Sequence, residues 1–218
     1  MTRQADFDWI ARPYRVLEYL TLGRMLERTR EHFLPLLRDS TNALVIGDGD
    51  GRFLAKLFLA NSQLRAMAID SSATMLELLS RRCKPFTNRL QVQQADVRQT
   101  LPCTDKPYDL VVTHFFLDCL EQDELLDLVL RVKPQLTPHA QWVISDFRIP
   151  TGSLRLPAWL YVRVLYLCFR ILTGLRTTRL PDHSSAMDGA GLVCIGRKHL
   201  LAGLLATEIR QNDAAGTP

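Results

Sequence analysis

The 218-residue sequence lacks the features that mark disulfide-stabilised or secreted proteins. It has only five cysteines, scattered and without a Cys-x-x-Cys pair, so neither a disulfide framework nor a zinc cage is expected. Its N-terminal residues contain no apolar core of the kind that a secretory signal needs. We therefore expect a cytoplasmic protein with no metal site. With 47% hydrophobic and 23% charged residues, the chain suits one globular α/β domain with a sizeable core.

Acidic residues are missing from residues 147–180, a stretch that contains six arginines. Such asymmetry favours an anionic ligand, a membrane surface or nucleic acid. Residues 156–175 within it are about as long as one membrane span. However, Arg163 and Arg170 make a transmembrane helix energetically costly. We expect an amphipathic helix that covers the active site or lies on a bilayer, with a solvated basic helix as the alternative.

Apolar strands alternate with helical segments through the middle of the chain. The pattern predicts strands at 43–46, 64–69, 90–94, 108–113 and 141–145, and helices at 52–59, 73–82 and 123–136. Two extended stretches follow at 193–198 and 204–211. The fold class predicted is α/β, with a Rossmann-like, mostly parallel sheet that has helices on both faces, an antiparallel C-terminal hairpin and a helical cap.

We interpret residues 1–218 as a single domain with four parts. They are an N-terminal helical cap (7–38), a cofactor-binding core (39–150), a helical insert (151–185) and closing strands (186–211). The tail from residue 211 is polar and is expected to fray.

A buried strand runs directly into the loop Gly47-Asp48-Gly49-Asp50-Gly51. Glycines permit backbone angles denied to other residues, and they let a ligand touch the main chain at the carboxyl end of the strand. A dinucleotide site needs Gly-x-Gly-x-x-Gly, but position 52 is Arg. Asp48 and Asp50 would repel a pyrophosphate and suit a ligand with a cationic amino group or sulfonium.

Acids end the next two strands. Asp70 ends the second strand, where a carboxylate can accept hydrogen bonds from both ribose hydroxyls. Asp96 ends the third strand and is predicted to reach an adenine amino group, with Val97 packing beside it. A helix N-cap is the alternative role for each acid. The remaining predicted cofactor contacts are Ser71, Met75 and Thr113.

At these residues the chain resembles a class I S-adenosylmethionine-dependent methyltransferase. Residues 44–51 resemble the family's first motif, residues 68–70 its ribose-binding strand end, and residues 94–96 its adenine-contacting strand end. The resemblance implies S-adenosylmethionine as the cofactor. The family often has an acid where this chain has Val45, and that acid orients the methionine amino group. Asp48 or a backbone carbonyl is the expected substitute.

A narrower resemblance, to the C-methyltransferases of ubiquinone and menaquinone biosynthesis, covers residues 7–11, Tyr14 and residues 20–23, and then an apolar insert after the fifth strand, residues 180–181 and residues 190–192. It implies a small apolar, quinone-like acceptor. The chain departs from these enzymes at Arg15, where they usually have Asp, and lacks their Arg-Asn pair after the fourth strand.

The segment after the fourth strand is where a general base would lie. His114 is the first candidate, because imidazole titrates near neutral pH, and a hydrogen bond to cofactor or backbone is its alternative role. Asp118 is interpreted either as a partner of His114 or as a helix N-terminal charge. His183 is interpreted as a loop residue and a candidate for a lid. The predicted acceptor-binding residues are Tyr14, Tyr19, Phe115, Phe116, Asp146, Arg148 and Tyr166.

Other functions remain open from the residues alone. A non-catalytic S-adenosylmethionine-binding protein, a nicotinamide-dependent oxidoreductase and an aminopropyltransferase could use a similar fold. Nucleic acid is not expected as a partner, because no Asn/Asp-Pro-Pro-Tyr motif follows the fourth strand. A small-molecule acceptor, lipid-like if residues 156–175 contact a membrane peripherally, is the expected partner.

Overall fold

A single seven-stranded sheet organises the protein. The computed structural model describes residues 22–102, 104, 106–173 and 180–213, with side chains up to residue 165 in the helix that ends at 173. The strands are β1 (Asn42–Ile46), β2 (Arg65–Asp70), β3 (Leu90–Gln94), β4 (Tyr108–His114), β5 (Leu136–Phe147), β6 (Leu192–Leu200) and β7 (Leu205–Asn212). Their order across the sheet is β3-β2-β1-β4-β5-β7-β6.

Strands β1 to β5 run parallel to one another, whereas β7 pairs antiparallel with both β5 and β6. The six α-helices of the described residues are α1 (Arg24–Glu31), α2 (Arg52–Ala60), α3 (Ala73–Arg82), α4 (Gln122–Val132), α5 (Arg155–Thr173) and α6 (His183–Gly189). The predicted fold class, with its parallel core and C-terminal hairpin, is confirmed.

Helices cover both faces because each strand of the core is apolar on both sides. Helix α2 buries Phe53, Leu54, Leu57 and Phe58 against one face, together with side chains of β1 and α3. Helix α4 buries Leu125, Leu128, Val129 and Val132 against the other face. Spacings of three and four residues place these side chains on one side of each helix. Helices therefore cover both faces of the sheet, and a ligand can reach it only at its edges and at the ends of its strands.

The largest difference from the predicted elements lies between α4 and β5. The helix predicted at 123–136 ends at Val132, and β5 begins at Leu136 rather than at 141. Pro134 explains the early end, because a proline inside the next turn cannot donate to a helical carbonyl. His139 adopts a left-handed φ of 62° near the start of β5, which hides that part of the strand from its sequence pattern.

A second difference concerns His183, which begins α6 and does not lie in a loop. Asp182 caps this helix, and its side chain accepts a hydrogen bond of 3.0 Å from the Ser185 N–H. A seven-residue helix is too short to carry a clear periodicity. Of the predicted N-terminal cap, the structure describes α1 and a 3₁₀ turn at Leu34–Leu37, and residues 7–21 lie outside the described part.

One buried side chain, Asn61, holds the turn between α2 and β2. Its amide nitrogen donates to the carbonyls of Leu37 and Ser40, at 3.0 and 2.7 Å. Its amide oxygen accepts from the N–H groups of Gln63 and Leu64, each at 3.0 Å. The turn is thereby tied to the segment that leads into β1.

Replacing this amide should destabilise the fold without touching the strand ends. We expect Asn61→Ala to lower the free energy of unfolding by about 2–4 kcal/mol, because buried backbone groups lose their partners. Urea denaturation followed by circular dichroism measures the change. Gln63→Ala is the control, since that side chain is exposed and should shift stability by about 0.5 kcal/mol or less. Equal denaturation midpoints for the two variants would contradict this role.

Candidate functional site

The glycine loop lies at the carboxyl end of β1 and is tied to β2 by a 3.0 Å hydrogen bond from the Gly47 N–H to the Ile69 carbonyl. Its glycines serve different needs, although all have positive φ. A Cβ at Gly47 would lie 2.6 Å from the ring of Phe116, and one at Gly51 would lie 2.9 Å from the Leu79 backbone. A Cβ at Gly49 would meet no atom within 4 Å. Gly49 is therefore where a ligand can approach the main chain.

The two loop acids have different environments. Asp50 is buried and forms ion pairs with Arg82 at 2.8 Å and Arg52 at 3.0 Å, so its charge is neutralised within the protein. The prediction that Asp50 faces a cationic ligand is therefore wrong. Asp48 is half-buried and accepts a 3.0 Å hydrogen bond from the Leu54 N–H. Burial raises the pKa of Asp48 to about 7 although Arg30 opposes the shift.

Asp70 lies at the end of β2, beside the loop. Its side chain accepts a 2.9 Å hydrogen bond from the Ser72 N–H. The cap of α3 is Ser72, whose hydroxyl accepts from the N–H of Met75 at 3.2 Å. Asp70 is therefore not the helix cap, which removes its alternative role. Ser71 is half-buried beside it, and Met75 is buried in the first turn of α3.

Asp96 follows β3 and is bound by a neighbouring cation. Arg98 donates to both carboxylate oxygens through its guanidinium, at distances of 2.8 to 3.1 Å. Burial tends to raise the pKa of Asp96, but the hydrogen bonds and charge of Arg98 outweigh it, and the pKa is lowered. An adenine amino group would have to share this carboxylate with Arg98. Val97 is buried in the core beside it.

The last residues of β4 face opposite sides of the sheet. Thr113 is fully buried, and its hydroxyl accepts a 3.0 Å hydrogen bond from the indole N–H of Trp142, so its side chain belongs to the core. His114 stands edge-on to Phe53 with 4.4 Å between ring centroids. Its two ring nitrogens have no hydrogen-bond partner, so the predicted pairing with Asp118 is not formed. Burial and the charge of Arg30 lower its pKa well below the ordinary value.

Phe115 and Phe116 carry the chain across the strand ends. Phe115 has a φ of 54°, an unfavourable value for a residue with a side chain, and its N–H donates to the Ser145 carbonyl at 2.6 Å. Its ring lies 5.4 Å from that of Phe147 and 5.0 Å from the guanidinium of Arg30. Such backbone strain is most often found at ligand sites. Phe116 packs on Gly47 of the glycine loop and Phe115 lies beside Phe147 of β5, so these two phenylalanines join the loop to the end of β5.

Two acids are buried beyond these rings. Asp146, near the end of β5, is 2% exposed, and its two carboxyl oxygens are faced by the N–H groups of Phe116 and Asp118 without forming a well-aligned hydrogen bond. Burial raises its pKa well above the ordinary value, the charge of Asp118 adds to the shift, and the N–H groups of Phe116 and Asp118 offset only part of it. Asp118 is 5% exposed and lies in a 3₁₀ turn at Leu117–Cys119. It does not begin α4, whose cap is Glu121.

Helix α5 covers this region from outside. Its buried Val162 packs with Cys119, Phe147, Tyr161, Leu180 and Leu204. The hydroxyl of Tyr161 is buried and has no partner. Arg148 is half-buried, and its N–H donates to the Leu204 carbonyl at 2.8 Å. Among the other predicted acceptor contacts, Tyr14, Tyr19 and the side chain of Tyr166 lie outside the described part of the chain.

Two charged groups near the site have no signal in the local sequence. Arg30 reaches from α1 to the ring of Phe115 and acts electrostatically on Asp48 and His114. Glu208, buried on β7, is paired with Arg197 at 2.8 Å and Arg210 at 3.0 Å. Arg30 lies 18 residues or more from Asp48 and His114, and Glu208 lies on a different strand from Asp146, so only the folded protein brings these groups together.

Comparisons with known proteins agree with this geometry. Residues 43–139 match the family model of a methyltransferase domain. An O-methyltransferase family protein from Burkholderia thailandensis superposes with a TM-score of 0.70 at 15% identity, over 94% of this chain and 60% of that one. The N-methyltransferase NodS from Bradyrhizobium japonicum WM9, solved with S-adenosyl-l-homocysteine, has a TM-score of 0.62 at 17% identity, over 88% of each chain. A search of curated proteins found no match.

An O-methyltransferase family 2 protein from Planctomyces limnophilus DSM 3776, solved with apigenin, has a TM-score of 0.67 at 17% identity, over 93% of this chain and 61% of that one. The fold is that of a Rossmann-like methyltransferase. The match over residues 43–139 supports the predicted class I S-adenosylmethionine-dependent methyltransferase family, whose cofactor is S-adenosylmethionine. The chain spans about 60% of the length of the two O-methyltransferase structures.

The environment of Asp48 predicts a pH dependence of cofactor binding. We expect an ionised Asp48 to attract the ammonium group of S-adenosylmethionine, and with a pKa of about 7 this charge is lost as the pH falls. We expect affinity to weaken about eightfold between pH 7.5 and pH 6, in proportion to the ionised fraction. Calorimetric titration at the two pH values measures it. Asp48→Asn is the control and should bind weakly at both; the same pH slope in this variant would assign the titration to another group.

Proposed function

We propose that this chain transfers the methyl group of S-adenosylmethionine to a small, largely apolar acceptor held beneath α5. The observation that carries the proposal is the close packing of Phe116 on Gly47. This contact joins the glycine loop, on the cofactor side, to the segment Phe115–Asp118, on the acceptor side. A donor over the loop and an acceptor beneath α5 would therefore meet at one place.

The residues at this edge fit the cofactor. S-adenosylmethionine ends in an α-ammonium and an α-carboxylate, and Asp48 and Arg30 offer one charge of each complementary sign. Gly49 lets the ligand approach the main chain, and Asp70 can accept from ribose hydroxyls. Asp48 thus takes the role that an acid at position 45 would have. The adenine contact of Asp96 stays a proposal in which Arg98 shares the carboxylate.

The bound cofactor supplies an electrophilic methyl group on a sulfonium. The protein's own contribution is to position the acceptor and exclude water, and orientation alone is worth up to roughly 7–11 kcal/mol. Buried Val162 on α5 and the tilted pair of rings of Phe115 and Phe147 serve that purpose. His114 is not favoured as the base, because a ring with a strongly lowered pKa has little affinity for a proton.

An apolar acceptor, quinone-like or otherwise aromatic, suits these walls. The neighbour solved with apigenin gives an aromatic example on the same fold. The acceptor atom differs among relatives, which include both O- and N-methyltransferases. A non-catalytic S-adenosylmethionine-binding protein would need the same cofactor site but no covered acceptor side.

The outer face of α5 supports a peripheral membrane contact. Leu156, Leu160 and Val164 lie four residues apart and are 72%, 57% and 53% exposed. Arg163 lies 5.0 Å from the ring of Trp159 on the flank, and α5 contains no acidic residue. Apolar side chains flanked by arginine and tryptophan suit an anionic bilayer surface. Within the described part, no helix has the length and apolarity needed to cross a bilayer.

Calorimetric titration tests the cofactor assignment. We expect micromolar binding of S-adenosylmethionine and none of NADH. Asp70→Asn should weaken binding by about tenfold or more, because an amide replaces one of the two carboxylate acceptors for the ribose. Asn keeps an acceptor for the Ser72 N–H, so the turn is preserved. Binding of NADH alone, or unchanged affinity in Asp70→Asn, would contradict the assignment.

Sedimentation with vesicles tests the membrane contact. The double variant Leu156→Gln with Leu160→Gln should bind phosphatidylserine-containing vesicles at least fivefold more weakly than the wild type. Roughly 1 kcal/mol of lost apolar burial is enough for this change. The matched control is Leu126→Gln with Leu130→Gln, an exposed pair at the same spacing on α4. Equal losses in the two double variants, or no binding by the wild type, would overturn the contact.

A further inference from the structure

Asp146 is a buried acid that the protein leaves without a partner. No described arginine or lysine forms an ion pair with it, and the backbone N–H groups of Phe116 and Asp118 that face its carboxyl oxygens do not reach them with hydrogen-bond geometry. Removing a carboxylate from water without compensation is costly, so such a group is retained only where it serves a purpose.

Glu208, on the neighbouring strand β7, shows how this protein treats a structural acid. It is equally buried, but Arg197 and Arg210 lie 2.8 and 3.0 Å from its carboxylate oxygens. Burial tends to raise its pKa, yet the hydrogen bond and charge of His183 and those of the arginines lower the pKa to about 2. Glu208 is thus a buried acid whose charge is balanced by arginines, whereas Asp146 on the neighbouring strand has no such ion pair with a described residue.

A second acid lies against Asp146. Asp118 comes from the 3₁₀ turn after β4, and its negative charge opposes ionisation of Asp146. Two carboxyl groups that interact in this way cannot both ionise easily, and they hold one proton between them. Glu208 also faces Asp146, and its negative charge acts in the same direction as that of Asp118. Cys119, next to Asp118, is acted on by both acids and by the positive charge of Arg98.

Apolar side chains and one buried hydroxyl adjoin the pair. Cys119 and Phe147, which adjoin the two acids in the chain, pack beneath Val162 of α5. Tyr161 adds a buried hydroxyl that has no partner. Apolar walls with a few polar groups that are not satisfied by the protein are typical of small-molecule sites.

We propose that Asp118 and Asp146 form a carboxyl pair that binds the methyl acceptor through an O–H or N–H group and takes up its proton. The inference rests on the proposed methyltransferase function and assigns to this pair the role first expected of His114. The acceptor's O–H or N–H bond breaks, the proton moves to the ionised carboxylate of the pair, and the electron pair stays on the acceptor atom. That pair forms the new bond to the methyl carbon, while the sulfonium sulfur retains the electrons of the bond that is broken.

The acidity of the acceptor follows from the choice of base. A phenol, with a pKa of about 10, is a far better proton donor to a carboxylate than an alkanol, whose acidity is close to that of water at about 15.7. The pair therefore favours a ring hydroxyl as the methylated group. Catechol and hydroquinone are suitable probes because each carries ring hydroxyls on a small apolar frame.

The first arm of the test separates this inference from the proposed function. Asp146→Asn and Asp118→Asn should bind S-adenosylmethionine as tightly as the wild type, measured by calorimetry. Their kcat/KM with catechol or hydroquinone should fall about a hundredfold or more, as expected for loss of a general base. Failure of the wild type to bind S-adenosylmethionine would overturn the proposed function. Normal binding together with undiminished methylation by Asp146→Asn would overturn the carboxyl pair alone.

The second arm needs no acceptor. Since the folded-state pKa of Asp146 is raised, its contribution favours folding below the unfolded value of 3.8 and is lost as the pH rises towards the folded pKa. Asp146→Asn should therefore unfold at the same temperature as the wild type near pH 4 and at a higher temperature near pH 7. Glu208→Gln is the matched control and should unfold at a lower temperature near pH 7.

These melting temperatures decide the case if neither probe is methylated. A stability gain in Asp146→Asn that grows with pH would support an unsatisfied carboxyl kept for a ligand. A loss of stability like that of Glu208→Gln, or a difference independent of pH, would mean that Asp146 is structural and would overturn the proposal.

Discussion

The close approach of Phe116 to the backbone of Gly47 is the constraint on which the site depends. No side chain can occupy position 47, because a Cβ there would lie 2.6 Å from the phenyl ring. The same residue hydrogen-bonds to the end of β2 through its N–H. One residue without a side chain thus joins three strand ends. Changes at either Gly47 or Phe116 would separate the loop from the segment that follows β4, and with it the two halves of the site.

The acids around the contact between Gly47 and Phe116 fall into two groups, those that form ion pairs and those that do not. Acids that stabilise the fold are paired within the protein, as Asp50 is with Arg82 and Glu208 with Arg210. Asp48 and Asp146 have raised pKa values instead, and both lie next to the carboxyl ends of central strands. Neither forms an ion pair with a described residue, so an arriving positive charge or hydrogen-bond donor can stabilise its ionised form. Asp50 and Glu208 are already stabilised in their ionised form by arginines, so a ligand would change their energy less.

The sequence allowed the core and the positions of the strand ends to be predicted, since strand periodicity, the glycine loop and the acids after β2 and β3 are local signals. It did not predict contacts between distant segments. Arg82 neutralises Asp50 from 32 residues away, and Arg30 approaches Asp48 from a separate helix. The pairing expected between His114 and Asp118 failed because His114 points towards Phe53 and α2, while Asp118 interacts with Asp146. Alternation along a strand shows that neighbouring residues face opposite sides, but it cannot say which side holds the acceptor.

Helix α5 links the acceptor side to the protein surface, and its two faces explain its unusual composition. Val162 faces inward and is buried, whereas Leu156, Leu160 and Val164 face outward and are exposed. A helix needed only as a lid would have a polar outer face, since exposed leucines stabilise nothing in water. An apolar outer face is expected if the helix contacts the lipid bilayer in which an apolar acceptor would be dissolved. Movement of this one helix would then both admit the acceptor and open the buried acids to it, so that access and desolvation would be controlled by the same element.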